Sequence, residues 1–138
     1  MTDRTLAILK PDSVAAGRAG AILARLEEEG FRICGVKRLR LSDEQARAFY
    51  AVHRERPFFD GLVRFMTEGP IVPVALERDG AVAHLRKTMG ATDSKKADAG
   101  TIRSLHGTDI ERNAIHGSDS AENAAREVAF FFSEAELI

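Results

Sequence analysis

Residues 5–41 read TLAILKPDSVAAGRAGAILARLEEEGFRICGVKRLRL, and the order of patterns inside that stretch decides the architecture. Residues 5–9 are a short β-prone apolar run that stops at Lys10-Pro11-Asp12, where Pro11 has no N–H to extend a ladder. This predicts a buried first strand. Over residues 20–29, Ile22, Leu23 and Leu26 form an apolar stripe opposed by Arg25, Glu27, Glu28 and Glu29, and Gly30 supplies a helix stop. The period then changes to two. Across residues 31–41, Phe31, Ile33, Gly35, Leu39 and Leu41 share one face, while Arg32, Arg38 and Arg40 share the other. The alternation predicts a half-buried strand with Cys34 on its more polar face, as a small packed residue.

Outward from this strand–helix–strand unit the theme repeats. Ser42 with Gln45 is a capping-box pattern opening a helix through Ala46, Phe49 and Tyr50, and a further helical segment follows Pro57 with Phe58, Phe59, Leu62 and Phe65. Gly69-Pro70 breaks it. Residues 71–76 (IVPVAL) read as a strand that Pro73 should push toward an edge or a bulge. A short helix over residues 81–87 leads into a polar loop from Gly90 to Gly100. After a short turn comes Asn113-Ala114-Ile115-His116. Asp119 with Glu122 is then expected to cap a last helix with apolar positions Ala121, Ala125, Val128 and Phe132. Two split βαβ units make an α+β, ferredoxin-like plan, an antiparallel sheet covered by helices. Such a fold names no function by itself.

The chain has 138 residues, 44% hydrophobic, with 20 Lys+Arg against 21 Asp+Glu, a net charge of −1. One domain spanning residues 1–138 is expected, too short for a bilobal kinase or for paired substrate and dinucleotide domains. A balanced charge argues against a broad polyanion-binding surface, so nucleic acid is not expected as a main partner and any anion site must be local. Cys34 is the only cysteine, which leaves no intramolecular disulfide and points to a reducing compartment. The N-terminal apolar run is interrupted at Lys10, too early for a signal peptide or membrane span, so a cytoplasmic protein is expected.

Chemistry concentrates in Asn113-Ala114-Ile115-His116-Gly117-Ser118-Asp119-Ser120. A neutral imidazole is a good nucleophile near neutral pH, and a carboxylate on a facing helix, for which Glu127 is the candidate, could fix its tautomer. Residue types alone leave a second reading open, in which the serines and Asp119 merely cap a helix and His116 is a satisfied strand-end residue. Lys10, Arg86 and Arg103 lie near the ends of predicted elements, where cations can clamp a phosphate chain or simply be solvated. Phe58 could pack in the core or stack on a planar base. There is no G-x-x-x-x-G-K-[ST] loop, and Gly17-Arg18-Ala19-Gly20, without a following lysine, reads as a simple turn in preference to a phosphate nest at a helix N-terminus. His53, His84 and His106 show no metal-ligand spacing, so no protein-held metal is expected and any divalent ion would ride on phosphates.

Together, Thr5-Leu6-Ala7-Ile8-Leu9-Lys10-Pro11-Asp12, Arg56-Pro57-Phe58-Phe59, Gly100-Thr101-Ile102-Arg103 and the N-x-x-H-G-S-D-S run ending at Ser120 resemble the nucleoside diphosphate kinases over nearly the whole chain. The resemblance implies a ferredoxin-like fold and a ping-pong transfer of the γ-phosphoryl group through a phosphohistidine at His116, with low base specificity. It implies that Glu127 and Ser118 orient His116, that Tyr50 sits beside it, and that Lys10, Arg86, Arg103 and Thr92 hold the phosphates. Asn113 with Lys10 would address the ribose 3′-hydroxyl, and Phe58 and Ile110 would flank the base. Implied partners are nucleoside di- and triphosphates (ATP, GTP, ADP, GDP and deoxy forms), with Mg²⁺ carried on the nucleotide. A homo-oligomer is also implied, a tetramer or hexamer built from dimers. A catalytically idle module would lack His116, Lys10 or Arg103, and all three are present. Ser94, Ala99 and His106 depart from the family pattern, which implies a looser loop and altered subunit contacts, and the chain ends at Ile138 without the longer tail of many relatives.

Overall fold

The apolar run after Arg4 becomes the interior strand β1 (Asp3–Leu9) of a four-stranded sheet in the computed structural model, which describes residues 2–138. Helices cover both faces of that sheet, so Leu6, Ala7, Ile8 and Leu9 are all fully buried, Leu6 and Ile8 toward one layer and Ala7 and Leu9 toward the other. Each buried leucine or isoleucine side chain of this kind stabilises the fold by about 1.5–3 kcal/mol. The other strands are β2 (Arg32–Val36), β3 (Val72–Arg78) and β4 (Ile115–Gly117). The order is β2-β3-β1-β4 with every pairing antiparallel, the ferredoxin-like arrangement.

Seven helices complete the layers: α1 (Pro11–Ala15), α2 (Ala19–Glu28), α3 (Asp43–Phe49), α4 (Phe59–Met66), α5 (Ala81–Met89), α6 (Ile102–His106) and α7 (Ala121–Phe131). Phe49, Val63, Met66, Val128 and Phe131 from α3, α4 and α7 pack on Leu6 and Ile8, whereas Ile22, Leu26, Leu85, Met89 and Ile102 from α2, α5 and α6 pack on Ala7 and Leu9. The capping box opening α3 forms as the sequence predicts: Ser42 Oγ accepts from Gln45 N at 3.1 Å and Gln45 Oε1 accepts from Ser42 N at 2.9 Å. Among the described residues, no helix is long and apolar enough to cross a membrane.

Several local expectations are corrected. Pro73 lies in an interior strand, between β2 and β1. It is tolerated because the β2 ladder ends at Val36↔Val74, and the missing N–H falls between that pair and the isolated Leu39–Ile71 bridge. Cys34 is not on a polar face. A register shift between Ile33 and Gly35 turns it into the core, 2% exposed, where Sγ donates to Ala75 O at 3.3 Å and burial pushes the thiol pKa up. The same shift separates Leu39 and Leu41, which pack with α3 and α4, from Phe31 and Ile33 on the opposite layer. At α7 the cap is Ser120, whose side chain accepts from Asn123 N, while Asp119 instead accepts from the Asn123 side chain. The buried face of α7 is Ala124, Glu127, Val128 and Phe131; Ala121 and Ala125 are exposed. The turn expected after Gly100 contains α6.

Candidate active site

β4 is short but firmly registered, with His116 opposite Ile8 and Ser118 N donating to Leu6 O at 3.1 Å. Gly117 between them lets α5 approach: a Cβ there would stand 2.5 Å from Met89 Sδ. His116 therefore projects toward α3 and α7, where its ring meets Phe49 at 5.7 Å and Tyr50 at 6.3 Å, both edge-on. Its side chain retains 21% exposure, enough to meet a ligand from solvent.

Glu127, buried on α7, accepts at a single oxygen, Oε1, from His116 Nε2 at 2.7 Å and from Ser118 Oγ at 2.9 Å. Burial by itself would raise the Glu127 pKa; the His116 hydrogen bond and charge, the Ser118 bond and Arg126 together outweigh it and hold the carboxyl below its usual value. An ionised carboxylate only accepts, so Nε2 carries the hydrogen, and in the neutral ring the lone pair is then on Nδ1. The Tyr50 hydroxyl nearby is fully buried without a hydrogen-bond partner, and burial followed by the Glu127 charge raises its pKa.

Two buried cations face the same region. Lys10, at the end of β1, donates to Asn113 Oδ1 at 2.8 Å, and its pKa is lowered to about 8, first by burial and then by the charge of Arg103. Arg103 donates to Gly90 O at 3.1 Å and Ile115 O at 2.8 Å, keeps a buried Nε–H without partner, and has its pKa lowered to about 10 by burial and by Arg86. Neither makes an ion pair with a carboxylate among the described residues. Buried like charges that repel each other are costly, and an anion bound between them would offset that cost. Arg86, exposed in the last turn of α5, is close enough for its charge to act on Arg103, and exposed Thr92 in the following loop is tied to Asn113 through its carbonyl.

Asn113 ties the loops together. Its Nδ2 donates to Thr92 O at 2.9 Å and to Ile110 O at 3.1 Å. Phe58 stands 52% exposed with its ring 5.5 Å from His53, and Ile110 is 64% exposed. Both are large apolar groups left in solvent. Sequence reasoning passed over Asp12, Ser13 and Ala114, which hold the segment leading to His116. Ala114 has φ 74° and is the one non-glycine residue with positive φ among those described. With Ile115 N donating to Asn113 O at 2.9 Å it forms a γ-turn of the rare strained kind, a conformation costing of order 1–3 kcal/mol. No residue-type signal marks such a turn. The nearest clue was the Lys-Pro-Asp corner itself. Among the described residues there is no cluster of three or more His, Cys, Asp or Glu side chains that could hold a metal ion.

This arrangement can present an unprotonated imidazole nitrogen to a phosphorus whose oxygens are held by buried cations. The comparisons agree with that chemistry. The family model described as nucleoside diphosphate kinase matches residues 3–137. A nucleoside diphosphate kinase from Acidiphilium cryptum is 56% identical over 137 residues, 99% of this chain and 98% of the relative. Another, from Granulibacter bethesdensis, is 56% identical over 136 residues, 99% and 97% of the two chains. Among solved structures, the Aquifex aeolicus nucleoside diphosphate kinase superposes with a TM-score of 0.98 at 46% identity over 100% of both chains. The Halobacterium salinarum enzyme in complex with CDP gives 0.95 at 43%, over 100% of this chain and 92% of that one. With a family match over nearly its full length and relatives this similar, the chain belongs to the nucleoside diphosphate kinases, enzymes that pass the γ-phosphoryl group of a nucleoside triphosphate to a nucleoside diphosphate.

Proposed function

We propose that His116 is the residue through which this nucleoside diphosphate kinase passes its phosphoryl group, one site serving donor and acceptor in turn. The observation that carries the assignment is the 2.7 Å bond from His116 Nε2 to the ionised Glu127, which engages one ring nitrogen and leaves Nδ1 as the nucleophile. In the first half-reaction Nδ1 attacks the γ-phosphorus, the bond to the bridging oxygen breaks, and the nucleoside diphosphate leaves with that electron pair. His116 keeps its Nε2 proton, and Glu127 opposes the positive charge that the phosphorylated ring acquires. The second diphosphate reverses the step.

Lys10, Arg86 and Arg103 supply the charge that holds the phosphate oxygens in line, with a hydroxyl from Thr92, while Tyr50 stands beside His116. Magnesium would enter as part of the nucleotide substrate and would add positive charge at the phosphates beside Lys10, Arg86 and Arg103. Lys10 and Asn113, already bonded to each other, address the 3′-hydroxyl. Phe58 and Ile110 flank the base, and stacking asks little about its edges, so low base selectivity follows. The CDP bound by the halobacterial relative accords with a pyrimidine being accepted. The same reading carries a homo-oligomer, a tetramer or hexamer built from dimers, which a solution mass measurement decides.

The test is incubation with γ-labelled ATP. An acid-labile adduct that GDP discharges as GTP is the expected result, with His116→Ala losing transfer but still binding nucleotide. Retained turnover in a pure His116→Ala sample refutes the assignment, and discharge only to a protein partner would make the chain a phosphocarrier instead.

A further inference from the structure

The corner at residues 10–13 grips the strained turn before His116 at four points. Lys10 N and Ser13 Oγ donate to Ala114 O at 2.9 and 2.8 Å, Lys10 Nζ donates to Asn113 Oδ1 at 2.8 Å, and Asp12 Oδ2 accepts from Ala114 N at 3.0 Å. The last of these is the only one supplied by a carboxylate. Asp12 does not cap a helix with it: it reaches across to a backbone N–H a hundred residues away, and its other oxygen, Oδ1, is buried without a partner. A half-buried carboxylate with one oxygen closed off from water is a costly way to satisfy one amide. An alanine at φ 74° is equally costly unless the surroundings hold it there. The two costs meet in one hydrogen bond.

We propose that Asp12 is a positioning residue for the phosphoryl-transfer site: by holding the Ala114 amide it keeps the γ-turn closed and so fixes Asn113, on one side of the turn, in the geometry that reads the ribose 3′-hydroxyl. Asn113 is where a loosened turn is felt first, because its side chain is shared among Lys10, Thr92 O and Ile110 O and tolerates no rotation without breaking one of them. His116, two residues beyond Ala114, has an independent hold through β4 and Glu127 and is displaced less. The role belongs to an acceptor atom rather than to a charge. Asparagine in place of Asp12 keeps an oxygen for Ala114 N and puts its amide where the unpartnered Oδ1 now lies.

This inference rests on the reading of Lys10 and Asn113 as the 3′-hydroxyl contact, and the experiment separates the two. The ratio of kcat/KM for a nucleoside diphosphate with a 3′-hydroxyl to that for its 3′-deoxy analogue is measured first in the native chain, then in Asp12→Ala, Asp12→Asn and the double variant Asp12→Ala with Ala114→Gly. The native ratio is expected to be well above one. Asp12→Ala should lower it roughly tenfold, the size of a lost hydrogen bond to a charged group. Asp12→Asn should keep it, and the double variant should regain much of it, because glycine takes a positive φ without strain. The double variant also serves if Asp12→Ala alone does not fold. A native ratio near one overturns the 3′-hydroxyl reading and this inference with it. A high native ratio that Asp12→Ala leaves unchanged, or activity lost equally for both substrates, overturns the Asp12 role alone.

Discussion

Lys10 should take up a proton when a nucleotide binds. Its ammonium is buried among Asn113, Arg103 and the end of β1, which lowers its pKa from 10.5 to about 8, so in the free protein roughly half of it is neutral at pH 8. A phosphate charge about 4 Å away interacts with it by roughly 4 kcal/mol at an effective dielectric of 20, equivalent to about three pKa units, and restores the charged form. Uptake on binding Mg–ADP should therefore be about a quarter of a proton at pH 7.5, about half at pH 8 and about nine tenths at pH 9. Titration calorimetry in two buffers of different ionisation enthalpy reads this number directly. Arg103, at about 10, remains charged at pH 8 and adds almost nothing there. The sign for stability follows from the same shift. Without nucleotide, the unfolded chain holds the Lys10 proton up to about 10.5 and the folded one releases it near 8, so in that window the unfolded state binds more protons and stability rises with pH. The rise is at most about 3 kcal/mol, a ceiling for a fully coupled buried group. Uptake that stays below about one tenth of a proton from pH 7.5 to 9 would refute the account of Lys10 as a buried, half-neutral phosphate and ribose ligand.

Three further outcomes follow from the geometry. Glu127→Gln keeps an acceptor near His116 Nε2 but removes the charge opposing the phosphorylated ring; rapid-quench measurement of phosphohistidine formation should fall about 10- to 100-fold, the range of a charged hydrogen bond. Ser118→Ala, which removes the second donor to the same oxygen without touching the charge, should cost less. Phe58→Ala should raise KM for GDP, CDP and UDP by similar factors, since a lost stacking face is worth roughly 1–3 kcal/mol whatever the base. A loss confined to one base would mean that the ring reads an edge rather than offering a face.

The architecture was legible because its deciding signals are local and periodic. β1 is apolar on both faces because both faces are covered, and the stripe on α2 and the capping box on α3 are likewise written within a few residues. What the sequence misplaced depends on pairing between distant segments. Nothing near Cys34 announces the register shift against β3 that turns it inward, and nothing near Pro73 says that its neighbour's ladder stops one residue short. At the site, His116 and Ser118 were readable through a specific motif and Glu127 as a carboxylate on a facing helix, and the three meet at one carboxylate oxygen. Ala114 shows the limit most sharply. Alanine carries no preference for positive φ, so residue type argues against the turn it makes, and only four bonds from the Lys10 corner hold it. A conformation that local preference opposes and distant contacts impose cannot be read from either segment alone. Its presence just before the reactive histidine means that the rigidity of the site is a tertiary property, lost if either segment is loosened, even where every residue that touches the nucleotide is kept.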